Sequence, residues 1–367
     1  MGLGTAHRAA EIFVEEVSVA KKTRVLIVDD SASIQKLLAR LLSSAEDIEV
    51  VGFANDPYEA REKMVELRPD VLSLDIEMPR MDGLTFLSKV MAHRPMPVVI
   101  VSSVAGPQTE ASLRALELGA VEIMDKRTAR RPMQYANAIR RASVARVTEL
   151  VRRRKNSSAE LIAVAGPTDL SADLIAIGAS TGGPAALSKL FARFPARLPP
   201  IVVVQHIPGP FTKPLAERLS NRSRVSVAES EEGVELTPGT AWIAKGTHHL
   251  TVEKRDGKLY MRHNQDDPVN FHRPSVNVLF QSLVMRDIRC VAVLLTGMGD
   301  DGATGLLALR QAGQITLAQD KETSLIHGMP GAAERLGAAM QSVPLPSMAK
   351  VIVKAVSACG RVERAQV

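Results

Sequence analysis

Short, nearly continuous apolar runs recur along this chain, most of them soon followed by a polar residue and then by residues with the three-to-four spacing of a helix. That alternation leaves few options. Strands without a polar face must be covered on both sides, which happens when helices cross over a parallel sheet. The first half carries such runs at Arg24–Val28, Val50–Phe53, Val71–Leu74, Val98–Val101 and Val121–Met124, and the second at Asp173–Gly178, Ile201–His206, Val291–Thr296 and Gln314–Ala318. The expected fold class is therefore α/β, with an N-terminal doubly wound five-stranded domain and a C-terminal α/β domain whose sheet is mainly parallel. A β-hairpin is expected in the segment from Thr240–Ala244 through Tyr260–Arg262, where alternation replaces continuous apolarity, with Arg255-Asp256-Gly257 as its turn.

At 367 residues the chain is long enough for two cores. Residues 1–22 lack periodicity and read as an extension, 23–140 as the first domain, 141–169 as a basic helix end and linker, and 170–360 as the second domain. Pro132–Arg154 is expected to form one basic helix. No apolar run is long enough to span a bilayer, and Glu11, Glu15 and Glu16 stand where a secretory signal would be apolar, so no membrane insertion and a cytoplasmic location are expected. Cys290 and Cys359, at no metal-binding spacing, exclude a disulfide framework. Lys and Arg exceed Asp and Glu by six, with the excess between Arg127 and Lys155. Aromatic residues make up 3% of the chain, which leaves few stacking platforms and argues against nucleic acid as a partner.

Gly178-Ala-Ser-Thr-Gly-Gly183 joins an apolar run to a helical one and fits G-x-S-x-G. Glycines let the backbone turn sharply, so Ser180 stands above the sheet edge, with helix-start amides facing whatever lies over it. A serine hydroxyl needs a base and an orienting group. His206 ends one later run, and Asp300 and Asp301 follow another. Residues at the carboxyl ends of neighbouring parallel strands share one crevice, so Ser180, His206 and either aspartate can act together. Gly297-Met-Gly-Asp-Asp-Gly302 also fits G-x-G-x-x-G, but two aspartates at the helix start would oppose a pyrophosphate. His248, His249, His263 and His272 match no zinc spacing.

In the first domain the strand ends supply Asp29, Asp30, Asp75, Ser102 and Lys126. Three carboxylates converging in one crevice repel each other unless a hard cation such as Mg²⁺ joins them, and a lysine there supplies a compact charge for a phosphoryl group.

Residues 24 to about 140 resemble response-regulator receiver domains. The resemblance implies that Asp29 and Asp30 are the acidic pair, Asp75 in Leu74-Asp-Ile-Glu-Met-Pro79 the phosphoacceptor, Ser102 the switch hydroxyl and Lys126 the family's lysine. It also implies Mg²⁺ as the cofactor and a histidine kinase as phosphodonor. Arg127, Ile123 and Asp125 depart from the family pattern. Residues from about 170 to 360 resemble the catalytic domain of CheB-type protein-glutamate methylesterases of bacterial chemotaxis. The stretches that carry this are Ile177–Pro184, Val204–Pro208, Phe271–Val276, Leu294–Ala303, Ala318–Asp320 and Gly328–Pro330. The resemblance implies Ser180 as nucleophile, His206 as base, Asp301 as its orienter, and the amides of Thr181 and Met298 as oxyanion-hole candidates. It implies hydrolysis of glutamyl methyl esters, and deamidation of glutamines, on cytoplasmic helices of methyl-accepting chemoreceptors, with activation by phosphorylation of Asp75 and no cofactor for the esterase step. The competing expectation is a phosphorylation-dependent receptor- or kinase-binding module with little turnover.

Overall fold

The computed structural model describes residues 21–102, 107–126, 132–156, 164–284 and 288–359. Arg127, residues 1–20 of the expected extension and residues 157–163 of the expected linker lie outside the described residues.

The first domain runs β1 (Thr23–Val28), α1 (Ala32–Leu42), β2 (Ile48–Ala54), α2 (Pro57–Leu67), β3 (Val71–Leu74), α3 (Gly83–His93), β4 (Val98–Ser102), α4 (Pro107–Leu118), β5 (Glu122–Asp125) and α5 (Pro132–Ser143). Its strands order as β2-β1-β3-β4-β5, all parallel. The chain leaves β1 to one side and returns on the other at β3, so this pair of strands marks the switch point where a crevice opens. Val28 pairs with Leu74, and the next residues, Asp29 and Asp75, therefore emerge side by side.

The basic segment expected as one helix is two: α5 stops at Ser143 and α6 (Val147–Asn156) starts anew. The break has a partner. The Arg146 N–H donates to the Leu325 carbonyl in the second domain at 3.0 Å, and its guanidinium reaches the Lys321 carbonyl. A continuous helix would have spent that N–H on its own ladder.

The second domain comprises β6 (Leu174–Ala179), α7 (Gly183–Phe191), β7 (Ile201–Gln205), α8 (Thr212–Ser220), β8 (Ser226–Glu229), β9 (Thr240–Ile243), β10 (His249–Arg255), β11 (Lys258–Asn264), α9 (Val276–Val284), β12 (Cys290–Leu294), α10 (Ala303–Gln311), β13 (Ile315–Gln319), α11 (Met329–Arg335), β14 (Gln341–Val343) and α12 (Leu345–Ala358). Seven parallel strands order as β14-β13-β12-β6-β7-β9-β8. Thr240–Ile243, the start of the segment expected to form the hairpin, pairs instead in parallel with β7 and β8. The hairpin is β10 with β11, and Asp256 and Gly257 form its left-handed turn. Alternation alone does not distinguish a strand within a sheet from a hairpin arm.

Strand β6 shows how the layers are built. Leu174 and Ala176 face the hairpin, α9 and α10, whereas Ile175 and Ile177 face α7 and α12, and none of the four is accessible to solvent. Each large apolar side chain so buried contributes about 1.5–3 kcal/mol. The cluster on the α7 side continues into the first domain. There α4 lies against α7 and α8. The Glu117 carboxylate accepts hydrogen bonds from Arg218 at 2.9 Å, Arg222 at 3.0 Å and the Ser188 hydroxyl at 3.1 Å. The Arg218 hydrogen bond, above the opposing effect of burial, holds Glu117 below the usual carboxylate range.

Candidate active site

Strand β6 is flanked by β7 and β12, and the chain runs from β6 to β7 on one side and comes back to β12 on the other. The carboxyl ends of these three strands form the second switch point. Ser180 follows β6 directly. Its N–H donates to the Thr296 carbonyl at 3.0 Å, and its carbonyl accepts from Gln205 Nε2 at 2.9 Å. Both neighbouring strands thus hold its backbone. Gly182 turns the chain into α7 with φ +80°, a conformation that disfavours a side chain. Gly297 is required by contact: a Cβ there would sit 2.6 Å from Ser180 Cβ and 2.3 Å from Met329 Sδ.

His206 follows β7 just as Ser180 follows β6, and Ala179 pairs with Gln205, so the two residues leave adjacent strands in step. The His206 N–H donates to the Ala179 carbonyl at 2.9 Å, and Gln205 Nε2 also reaches the His206 carbonyl at 3.0 Å. Gln205 thus bridges the backbones of both residues. On the imidazole, Nε2 is 2.9 Å from Asp301 Oδ2, while Nδ1 is buried without a partner among the described residues. With Nε2 donating to the carboxylate, Nδ1 is the nitrogen whose lone pair can take a proton. No hydrogen bond joins Ser180 Oγ to the ring among the described residues.

Asp301 is 2% exposed and Asp300 is exposed. Only the former reaches His206. Asp301 also accepts from the Ser275 hydroxyl at 2.7 Å, the Val276 N–H at 2.7 Å and the Asn277 N–H at 3.2 Å. Those amides open α9, so the carboxylate neutralises a helix start as well as holding the His206 imidazole. Burial alone would raise the Asp301 pKa, yet the hydrogen bond and charge of His206, with Ser275 and the Val276 amide, hold it below the usual carboxylate range. The N–H groups of Thr181 and Met298 have no acceptor among the described residues.

Gln205 and Ser275 escaped sequence reasoning, whereas His272 is expected near the cleft from the family motif Phe271–Val276, as a substrate contact or structural support. Gln205 was visible as the lone polar residue before His206 in an apolar run, and Ser275 as a cap-type residue before a helix. His272 stacks flat on His206, with ring centroids 3.7 Å apart and planes 11° from parallel. Burial, then the neighbouring His206, pushes the His272 pKa down to about 4, so it packs as a neutral ring. No spacing rule would have paired residues so far apart in sequence.

In the first domain, carboxylate oxygens of Asp29, Asp30 and Asp75 lie within 4.8 Å of one another. Lys126 Nζ is 2.7 Å from Asp75 Oδ2 and 2.9 Å from Asp29 Oδ2. Burial pushes the Asp75 carboxyl up to about 6, against the opposing hydrogen bond and charge of Lys126. Ser102 ends β4 and is buried beside this group of strand ends. Of the family departures, Ile123 and Asp125 are buried in β5. The all-oxygen donor set and its crowded negative charge suit a hard divalent cation such as Mg²⁺.

Comparison with known proteins agrees with this architecture. The family model of the CheB methylesterase matches residues 175–352, and that of the response regulator receiver domain matches residues 25–136. A protein-glutamate methylesterase/protein-glutamine glutaminase 2 of Pseudomonas aeruginosa is 44% identical over 338 residues, covering 90% of this chain and 96% of the relative. The protein-glutamate methylesterase/protein-glutamine glutaminase of Salmonella typhimurium is 42% identical over 345 residues, covering 92% and 98%. The crystal structure of the Thermotoga maritima CheB methylesterase catalytic domain is 35% identical with a TM-score of 0.48, covering 52% of this chain and 99% of that one. A receiver domain joined to a methylesterase domain, matched along nearly the whole length of such relatives, places this chain in the CheB family of protein-glutamate methylesterases/protein-glutamine glutaminases.

Proposed function

We propose that Ser180, His206 and Asp301 form the triad with which this chain, a phosphorylation-regulated protein-glutamate methylesterase and protein-glutamine glutaminase, hydrolyses glutamyl methyl esters on cytoplasmic helices of chemoreceptors. The observation that carries this reading is the His206–Asp301 hydrogen bond at the end of the strand next to Ser180. Ser180 Oγ attacks the ester carbonyl as His206 Nδ1 takes its proton, and Asp301 stabilises the imidazolium. The N–H groups of Thr181 and Met298 donate to the oxyanion. Collapse breaks the C–O bond to the methoxy group, which leaves as methanol with the proton from His206. Water, deprotonated by His206, then attacks the acyl-enzyme and releases glutamate and Ser180. With glutamine in place of the ester, ammonia is the first leaving group. The hydroxyl comes within hydrogen-bond reach of the ring by side-chain rotation when substrate binds, as in other enzymes whose catalytic contacts tighten on binding.

Asp29, Asp30 and Asp75 would hold Mg²⁺, which neutralises the crowded carboxylates and the incoming phosphoryl oxygens. Asp75 accepts the phosphoryl group from a histidine kinase, Lys126 pairs with the new charge, and the Ser102 hydroxyl donates to it. A phosphoryl group adds about −1.5 to −2 charges, enough to reorganise strand-end loops and loosen a modest domain interface such as that around Glu117. The receiver then swings away from the second domain and opens the cleft to the receptor.

Methanol release from methylated receptor membranes, measured with and without acetyl phosphate, tests both halves. The wild type should respond to the phosphodonor, Asp75→Asn should not, and Ser180→Ala should release nothing. Undiminished release by Ser180→Ala would refute the triad.

A further inference from the structure

The segment that stacks on His206 also holds the most exposed large apolar side chain among the described residues. Phe271 is 100% exposed with both domains present, so neither the receiver nor the catalytic domain covers it. It sits in a tight turn closed by reciprocal hydrogen bonds: the Val269 N–H donates to the His272 carbonyl at 3.1 Å, and the His272 N–H to the Val269 carbonyl at 2.9 Å. The two residues between are both left-handed, Asn270 at φ +51° and Phe271 at φ +65°. Two-residue turns of this hand suit asparagine or glycine; a bulky aromatic residue is an outlier there. The backbone is therefore strained to hold an aromatic ring in water, and local structure alone favours neither.

Hydrogen bonds hold the residues that follow the ring. Arg273 Nη1 ties the turn to the Gln265 and Asp266 carbonyls at 2.9 and 3.0 Å, and residues 275–277 are bonded to Asp301. His272, next to Phe271, lies flat on the catalytic imidazole. Met298, whose neighbour Gly297 stands against Ser180, is 40% exposed and adds a second apolar group to the rim of the same site.

We propose that Phe271 is a substrate-docking residue: its ring packs against aliphatic side chains on the substrate helix beside the glutamyl ester, and so selects a folded protein surface over a free ester. The proposal rests on the reading of Ser180, His206 and Asp301 as the esterase triad. It needs no change in the chemistry. The turn holds the ring on the residue next to the one stacked on His206, and the ring is buried only when substrate is bound.

The test is a split between KM and kcat for methanol release from methylated receptor membranes. Phe271→Asn removes the ring and suits the left-handed backbone, so it should fold at least as well as the wild type. It should raise KM by about tenfold with kcat unchanged, the loss expected for one buried aromatic contact. Phe271→Gly, also at ease at positive φ, should do the same, and Phe271→Tyr should restore KM. An unchanged KM in both ring-free variants, or a fall in kcat at constant KM, would overturn the proposal. A wild type that releases no methanol would instead defeat the triad reading, and with it this one.

Discussion

Asp301 satisfies four hydrogen-bond donors at once, and its neighbours on the imidazole and α9 depend on its charge. Because its pKa is depressed in the folded state, it contributes stability that is present above the unfolded value of about 3.9 and lost as pH falls through the folded one. Asp301→Asn should therefore cost about 1–3 kcal/mol at pH 7, with the difference from wild type shrinking in urea titrations as pH falls through the depressed folded value. Activity should be lost at every pH, since the amide cannot stabilise an imidazolium. Gly297→Ala makes a sharper steric test. Its methyl group would sit 2.6 Å from Ser180 Cβ, so esterase activity should fall at least tenfold by displacement of Ser180, the proposed nucleophile, at a stability cost of about 1–3 kcal/mol. At this scale the sequence was readable for residues that end strands. Ser180, His206 and Asp301 each follow an apolar run, whereas His272 and Gln205 matter through a ring stack and a carbonyl bridge that no spacing encodes.

Elements were legible where periodicity alone determines them. The buried parallel strands read as continuous apolar runs because both faces are covered, and the observed β6, β7 and β12 fall on the expected stretches. Thr240–Ile243 is a strand on its expected stretch but with other partners, because alternation reports a half-buried strand without naming its partner. The α5–α6 break was hidden for a similar reason: Ser143 to Arg146 has no glycine or proline, and the helix ends because Arg146 is engaged by the second domain. The clasp of α4 on α7 and α8 makes its own prediction. Glu117→Ala strands Arg218 and Arg222 without their carboxylate, so the rate of methanol release without phosphodonor should rise several-fold, toward that of the phosphorylated wild type. Arg218 keeps Glu117 ionised below the ordinary range, so the clasp should persist through the neutral range and loosen only as pH falls through the depressed glutamate pKa.

For the whole molecule, two switch points face two chemistries. One gathers Asp29, Asp30, Asp75 and Lys126, proposed to accept a phosphoryl group, the other Ser180, His206 and Asp301, proposed to carry acyl transfer, and the contacts of α4 and Arg146 connect the domains that carry them. Lys126→Ala should leave basal esterase activity in place while abolishing the response to acetyl phosphate, because it removes the cation that meets Asp75 without touching the second domain. Among the described residues no helix is long and apolar enough to cross a membrane. By itself the sequence determined the fold class and the order of the strand-end residues, since apolar periodicity and the polar residue that breaks it are both local properties. Only the tertiary structure decided which nitrogen of His206 meets Asp301, that Asp301 rather than Asp300 turns inward, and where the receiver sits. Each of those depends on contacts between segments that are remote along the chain, which packing selects and no local pattern records.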